Sequence, residues 1–566
     1  MKRQLALAFS TLFVLAACEI AGPSGPPADV VFLNGKVVTV DKDFSLKQAI
    51  AVKDGKFVAV GTNDEVRRRA GAATTVVDLK GLTVLPGLID SHLHAIRGGL
   101  TWDYELHWDK LTSLRAGLDM IAEKARTQPA GTWIRVVGGW HESQFAEKRL
   151  PTVAELDQIA PNHPVWVQRL YNRVTWNSAA VKTLGITKDT PDPAGGQILK
   201  DDKGQPYGVT NAAGINTYYP NLPRPTADQM IESTRHWLAE LNRAGLTMAI
   251  DVAGGLQRWP DDYGAINAIH DRGQQTVRLR WFMQPQRAGK EVEDVRMFVS
   301  LVKPGTGDDM LRPLGVGEAP LAATNDGDAL GPDSPTFPPQ AIEMFGQVLR
   351  VATEAGWSFQ VHSTRDKSLR QLLPQVEEIN KQIPLKDRRF SFAHLEDVSP
   401  QSWERVKAMG GGITVQDRTI YTGEDVLRNW PAEAARRAPP IQSLLKAGVP
   451  LGGGTDATRV TPYQPFVSLW WFVTGKTVDG KPVRGPEELV SREQALRVYT
   501  MGSAWFSHDE DKLGSIEIGK LADLIVLSAD YLTVREDQIK TIESVLTVVG
   551  GKPVYGSGEY ASLASR

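Results

Sequence analysis

Apolar and polar positions change texture three times along the chain. Leu5 to Ala17 forms one apolar stretch behind a basic Met1-Lys2-Arg3 start. It is too short to span a bilayer as a mature helix. From 29 to 80, short apolar runs alternate with turn signals: Val30-Val31-Phe32-Leu33 precedes Asn34-Gly35, and Ala49-Ile50-Ala51-Val52 precedes Lys53-Asp54-Gly55. Asn-Gly and Asp-Gly between β-type runs are strong hairpin signals. The same texture returns near the other end, in Leu524-Ile525-Val526-Leu527 and from Val545 to Tyr555. Neither end is large enough for a core of its own. The pattern therefore predicts one small composite β-sandwich built from 29–86 together with 511–566.

The middle, 87–510, alternates strand-like runs with amphipathic helical stretches such as Ala227–Ala244, Pro339–Ala355 and Pro439–Ala447. This predicts an α/β architecture with a parallel sheet. Candidate strands are Trp133–Val137, Val165–Gln168, Thr247–Asp251, Val277–Phe282, Leu311–Gly317, Trp357–His362, Phe390–His394, Gly412–Gln416 and Val449–Gly453.

Composition narrows the partners. Lys+Arg total 64 against Asp+Glu 66, a net charge of -2 over 566 residues. That balance gives no reason to expect nucleic acid. Leu15-Ala16-Ala17-Cys18 resembles the bacterial lipobox, after which the peptidase cuts before the Cys and a diacylglyceryl group joins its sulfur. Cys18 is the sole cysteine, so no disulfide is expected. Residues 1–17 read as a lipoprotein signal peptide and 18–28 as a Gly- and Pro-rich tether. The expectation is a bacterial cell-envelope protein facing the periplasm, in contact with the membrane only through an N-terminal lipid anchor. With Glu19 rather than Asp after Cys18, the outer membrane is the expected anchor site.

The candidate chemistry begins at Asp90-Ser91-His92-Leu93-His94, which ends an apolar run. In a strand, side chains at i and i+2 share a face, so His92 and His94 aim two imidazoles at one point. Imidazole suits zinc and similar divalent transition metals. His362 and His394 also end strand-like runs, and Gly454-Thr455-Asp456 ends another with a carboxylate. In a barrel enzyme the chemistry sits at the C-terminal ends of strands. Glu318, at the end of Leu311–Gly317, reads either as a ligand bridging two metals or as a surface or capping residue.

These motifs, in this order, resemble the amidohydrolase superfamily, in particular its amidohydrolase family 3 or YtcJ-like branch. Pro86-Gly87-Leu88-Ile89-Asp90-Ser91-His92-Leu93-His94, Val361-His362, Ala393-His394 and Gly454-Thr455-Asp456 carry the resemblance. It is supported by Ala438–Pro450 and Gly514–Leu524. The resemblance covers almost everything after residue 28. It implies a distorted TIM (β/α)8 barrel over 87–510 beside the composite β-sandwich. It implies one or two divalent ions, Zn2+ or another transition metal, held by His92, His94, His362, His394 and Asp456. It further implies catalysis by Asp456 as general acid/base, with His394 binding metal or positioning the substrate. The activity implied is hydrolysis of a non-peptide C–N bond in a small-molecule amide, N-acyl or N-formyl compound or cyclic amide. Deamination, or ester or lactone hydrolysis, uses the same site and stays open, as does a substrate-binding lipoprotein that has lost catalysis. A homodimer is the expectation by analogy with relatives.

Two departures matter. Many relatives place a Lys on the fourth strand, where this chain reads Met310-Leu311-Arg312-Pro313-Leu314-Gly315-Val316-Gly317-Glu318. Arg312 stays protonated and is no substitute. Without Glu318, His92, His94, His362 and Asp456 suffice for one zinc. Relatives also commonly carry a His where this chain aligns Asn172. Trp140, His141 and Asn172 are the candidate substrate-pocket residues, set against core packing as the plainer role for Trp140.

Overall fold

The structure is a computed structural model describing residues 26–327 and 330–564. Cys18 and the apolar stretch before it lie outside the described residues. Eight strands form one all-parallel sheet in sequential order: β1 (Leu88–Leu93), β2 (Leu246–Asp251), β3 (Arg278–Met283), β4 (Leu311–Val316), β5 (Ser358–Arg365), β6 (Ser391–Asp397), β7 (Gly412–Gln416) and β8 (Leu451–Gly454). Beyond the strand ends, Asp456 N–H donates to His92 O at 2.8 Å, and His94 N–H donates to Ala457 O at 3.0 Å. These bonds bring the last strand to the first and nearly close the sheet into a TIM barrel. The strands are buried almost throughout, as expected of a parallel sheet covered by crossover helices. One such helix, Ala227–Arg243, starts at Thr226 with a reciprocal Thr226–Gln229 capping box, a strong local start signal.

The floor of the barrel is packed by residues from the far C-terminal part of the chain. Phe506 clusters with Ile89, Met248, Ile250, Phe282 and Leu314. A Cβ on Gly412 or Gly452 would lie 2.7 Å or 2.8 Å from the Phe506 ring, so these strands need glycine where the ring enters. Beside it Asp509 is fully buried and takes salt bridges from Arg280 at 2.8 Å and Arg312 at 2.9 Å. Arg312 therefore serves the floor, at the opposite end of β4 from Glu318.

Both chain ends join one six-stranded sheet. Lys36–Val38, Leu46–Lys47 and Thr83–Pro86 come from one end; Leu524–Leu527, Ser544–Val549 and Lys552–Gly556 come from the other. A four-stranded sheet of Val30–Leu33, Ala49–Lys53, Lys56–Gly61 and Thr75–Asp78 shares its core. In that core Phe32, Ile50, Phe57, Val84, Leu524, Val526 and Leu546 pack together.

Two of the candidate strands, Trp133–Val137 and Val165–Gln168, are not barrel strands. They appear as Ile134–Val137 and Val165–Arg169, paired in parallel within a separate five-stranded sheet inserted between β1 and β2. Antiparallel strands Arg173–Trp176, Pro206–Thr210 and Ile198–Lys200 complete that sheet. Its two faces have their own cores, around Trp108, Trp140 and Phe145 on one side and Trp166 and Trp176 on the other. Among the described residues no helix is long and apolar enough to cross a membrane.

Candidate metal centre

Six side chains from five strands converge at the C-terminal mouth of the barrel. Pleating turns His92 and His94 of the β1 end the same way. His94 Nε2 lies 3.0 Å from Asp456 Oδ1, and His92 Nε2 lies 3.6 Å from the same oxygen. Glu318 follows β4 and stands between the two halves of the site. Its Oε1 is 3.7 Å from His92 Nε2, 2.6 Å from His362 Nδ1 and 3.1 Å from His394 Nε2, and its Oε2 is 3.7 Å from His94 Nε2. The last two imidazoles meet at 2.9 Å, His394 Nε2 to His362 Nδ1. His394 and Asp456 both have left-handed backbone, φ 76° and φ 62°, uncommon for residues with a Cβ. Such conformations concentrate at functional sites, where the surroundings enforce them.

The donor set fits a divalent cation. His92 and His94 with Asp456, and His92 with Glu318 and His394, each present atoms mutually within 4.8 Å. Among the described residues, both ring nitrogens of His92 and Nδ1 of His394 are buried without a hydrogen-bond partner, although buried polar atoms are normally paired. Imidazole and carboxylate at this spacing are ligand chemistry for zinc and its neighbours.

The electrostatics are those of a charge-compensated cluster. Burial alone would raise the Asp456 carboxyl, but the close His92 and His94 imidazoles, with charge from His92 and His394, outweigh it and hold it below the usual range. Burial likewise opposes ionisation of Glu318, and His362 and His394 outweigh it. Burial works against a charge on His362 too, yet Glu318 raises that ring to about 9. Burial, with the charges of Arg418 and His362, pushes His394 down. A cation bound among these groups displaces protons from the imidazoles.

A supporting layer fixes the ligands. Asp90, part of the His-x-His motif but given no role from sequence, is fully buried. Its carboxylate accepts from His92 N–H at 2.9 Å, Thr455 Oγ1 at 2.7 Å and Tyr499 Oη at 3.2 Å. It thus ties β1 to the turn that carries Asp456. Burial pushes this carboxyl up to about 6 against those hydrogen bonds. Asp251, at the end of β2, accepts from Ile96 N–H at 2.7 Å and Ala253 N–H at 3.0 Å. The Ala253 carbonyl in turn contacts His94 Nδ1, leaving Nε2 to face Asp456, an arrangement typical of metal-ligating histidine. Gln416 Oε1 of β7 accepts from His394 N–H at 3.0 Å. The signal for Asp90 and Asp251 was a carboxylate at a strand end; nothing in the sequence told it apart from a turn residue.

The three candidate pocket residues, Trp140, His141 and Asn172, sit on or beside the inserted sheet. Trp140 is fully buried against Trp108 and Phe145, with ring centroids at 4.8 Å and 5.5 Å. It is a core residue of the inserted sheet and has no surface for a substrate. His141 stacks on Tyr421 of the helix after β7 at 5.8 Å and contacts Arg169. Burial, then the Arg169 charge, lowers His141 to about 4. Asn172 sits in the turn after Val165–Arg169, its Oδ1 buried without a partner.

A barrel with histidines and carboxylates gathered at its C-terminal mouth is the layout of a metal-dependent hydrolase. An amidohydrolase family profile matches residues 75–555, and the chain belongs to the amidohydrolase family. By that membership it is a metal-dependent hydrolase of carbon–nitrogen bonds. It is 27% identical to the N-substituted formamide deformylase of Arthrobacter pascens, over 92% of this chain and 97% of that one. It is 25% identical to the putative amidohydrolase YtcJ of Bacillus subtilis, over 93% and 99%. An uncharacterized metal-dependent hydrolase from Pyrococcus horikoshii superposes with a TM-score of 0.65 at 19% identity, over 90% of this chain and 99% of that one.

Proposed function

We propose that this protein hydrolyses a non-peptide C–N bond in a small amide, N-acyl or N-formyl compound or cyclic amide. The observation that carries this reading is the convergence of Asp456 with His92 and His94 across the barrel seam. His92, His94 and Asp456 would hold one ion; Glu318 and His394, with His92 shared and His362 alongside, would hold a second. Zinc is the ion that best suits these ligands. Bound there, the cation supplies Lewis acidity that polarises a carbonyl and acidifies water.

Asp456, ionised at neutral pH, takes a proton from the attacking water and returns it to the leaving nitrogen. With a single ion, His394 is left to hydrogen-bond the developing oxyanion; with two, it is a ligand beside Glu318. Asp90 fixes the backbone that carries His92, and Asp251 fixes the Ala253 segment whose carbonyl meets His94 Nδ1. The likeness to the Arthrobacter enzyme supports N-substituted formamides as the first substrates to try. The test is product analysis across formamides, N-acyl amines and cyclic amides, with ring amidines, esters and lactones alongside. C–N cleavage of the first three groups is expected. Turnover confined to esters, lactones or ring amidines would overturn the reading.

We further propose that Cys18 carries a lipid that anchors the protein to the outer membrane, facing the periplasm, and that it works as a homodimer. Detergent partitioning and N-terminal mass spectrometry of wild type and Cys18→Ala test the first; an unlipidated wild-type N-terminus contradicts it. Sedimentation equilibrium tests the second, and a monomer at all concentrations contradicts it.

A further inference from the structure

Arg97 is a buried cation without a polar partner among the described residues. It lies on the short helix Ala95–Thr101, which starts directly after His94. It is 8% exposed, and its Nε and Nη2 are buried with no hydrogen bond. The Tyr171 ring stands 6.0 Å from its Cζ, at the outer limit of a cation–π contact, and neutralises nothing. Burying a charge is costly unless it is paired and hydrogen-bonded. Among the described residues no carboxylate pairs with this guanidinium, and the fold holds it ready for an anion.

The surroundings agree. Arg97 lines a cavity of about 300 Å³ together with Arg135, Arg224, Arg258 and Arg459, against one carboxylate, Asp262. Arg224 is paired with Asp262, Arg135 donates to the Pro223 carbonyl, and Arg459 Nη2 donates to Tyr219 Oη at 2.6 Å. Cations outnumber carboxylates in this lining, and Arg97 is its buried, unspent donor, whereas Arg258 is exposed. Leu222, Met230 and Leu256 supply apolar wall.

The cavity adjoins the metal ligands. A Cβ on Gly254 would lie 2.6 Å from both Glu318 Oε2 and His94 Cε1, and one on Gly255 would collide with Arg97 Nη1. Successive Cα atoms are about 3.8 Å apart. Two consecutive glycines thus put the ligand cluster beside one and the guanidinium beside the next.

We propose that Arg97 binds a carboxylate carried by the substrate, a few bonds from the scissile C–N bond. The class of substrate is then an N-formyl or N-acyl amine bearing a carboxylate, such as an N-formyl amino acid with a small or apolar side chain. The planar guanidinium fork matches a carboxylate bidentately, which an ammonium does not. This inference rests on the hydrolytic reading of the site.

The test uses the full metal-loaded chain carrying Asp456→Asn, so that binding is measured apart from turnover. Calorimetry compares N-formylglycine, N-formyl-leucine and N-formyl-phenylalanine with their carboxamides. The Arg97 form is expected to prefer at least one carboxylate by roughly tenfold or more. Arg97→Ala and Arg97→Gln should abolish that preference with metal content unchanged, and Arg97→Lys should restore part of it. No carboxylate preference, or a preference that survives in a substituted, metal-loaded variant, overturns the proposal. So does inorganic phosphate that binds in an Arg97-dependent way while none of the carboxylates does. Arg97-dependent binding without hydrolysis of any panel member by the wild-type enzyme leaves the anion site standing and counts against the hydrolytic reading. Hydrolysis of acids and carboxamides alike, independent of Arg97, does the reverse.

Discussion

Asp456 and His94 stand 362 positions apart in the chain, and their side chains meet at 3.0 Å, Oδ1 to Nε2. The contact closes the barrel seam and places an ionised carboxylate among the imidazoles. Asp456→Asn keeps the shape and removes the base. We expect turnover to fall by about 10²–10⁴-fold, with most of the bound metal retained. Steady-state kinetics beside elemental analysis checks this; unchanged turnover would show that another group moves the proton.

Among the described residues, Glu318 is the one carboxylate within 4 Å of all four histidines of the cluster. As a shared ligand, its loss should remove more than one contact. Glu318→Gln is expected to lower metal content per chain and activity together. Full metal content in that variant would reduce Glu318 to a hydrogen-bonding neighbour of His362.

Asp90 acts one layer back. It reaches His92 N–H, Thr455 and Tyr499 but lies outside both ligand groups. Asp90→Asn should weaken metal affinity by about 10–100-fold and leave the overall fold intact. Titration with a metal-buffered chelator reads the affinity directly. An unchanged affinity would make Asp90 a purely structural stitch between β1 and β8.

The barrel floor makes a prediction about stability. Asp509 is enclosed with Arg280 and touches Arg312. Burial alone would raise its pKa, but the two guanidiniums outweigh it and hold the carboxyl below its usual range. Asp509→Ala leaves buried cations uncompensated and should cost about 3–5 kcal/mol. A depressed folded-state pKa stabilises above the unfolded value, about 3.9 for Asp, and that contribution fades as pH falls through the folded value. The gap between wild type and variant in denaturant melts should therefore be full at pH 7 and narrow below about pH 4. A gap independent of pH would remove Asp509 as its source.

Much of the site was legible because strands obey a period of two and barrels place chemistry at strand ends. His92, His94, His362, His394 and Asp456 follow from those rules, and Glu318 was visible as one of two alternatives. The inserted sheet was not. Ile134–Val137 is apolar but for Arg135, and Val165–Arg169 carries buried Trp166 and Gln168 among valines. Such short, buried runs look alike whichever sheet they join. Trp140 was misplaced for the same reason, since an aromatic residue after a strand suits a pocket and a core equally. Arg97 carries no signal of its own, because an arginine three residues past a histidine motif reads as a solvated helix residue. Only the fold shows that its guanidinium is enclosed.

Metal content per chain, measured on purified wild type and on a folded His92→Ala variant, tests the central claim most directly. We predict at least one divalent ion in the wild type and a loss of bound ion in the variant, which surrenders the ligand shared by both donor groups. A His92→Ala protein that still carries the full wild-type complement of metal would contradict the claim that these side chains meet around a shared cation.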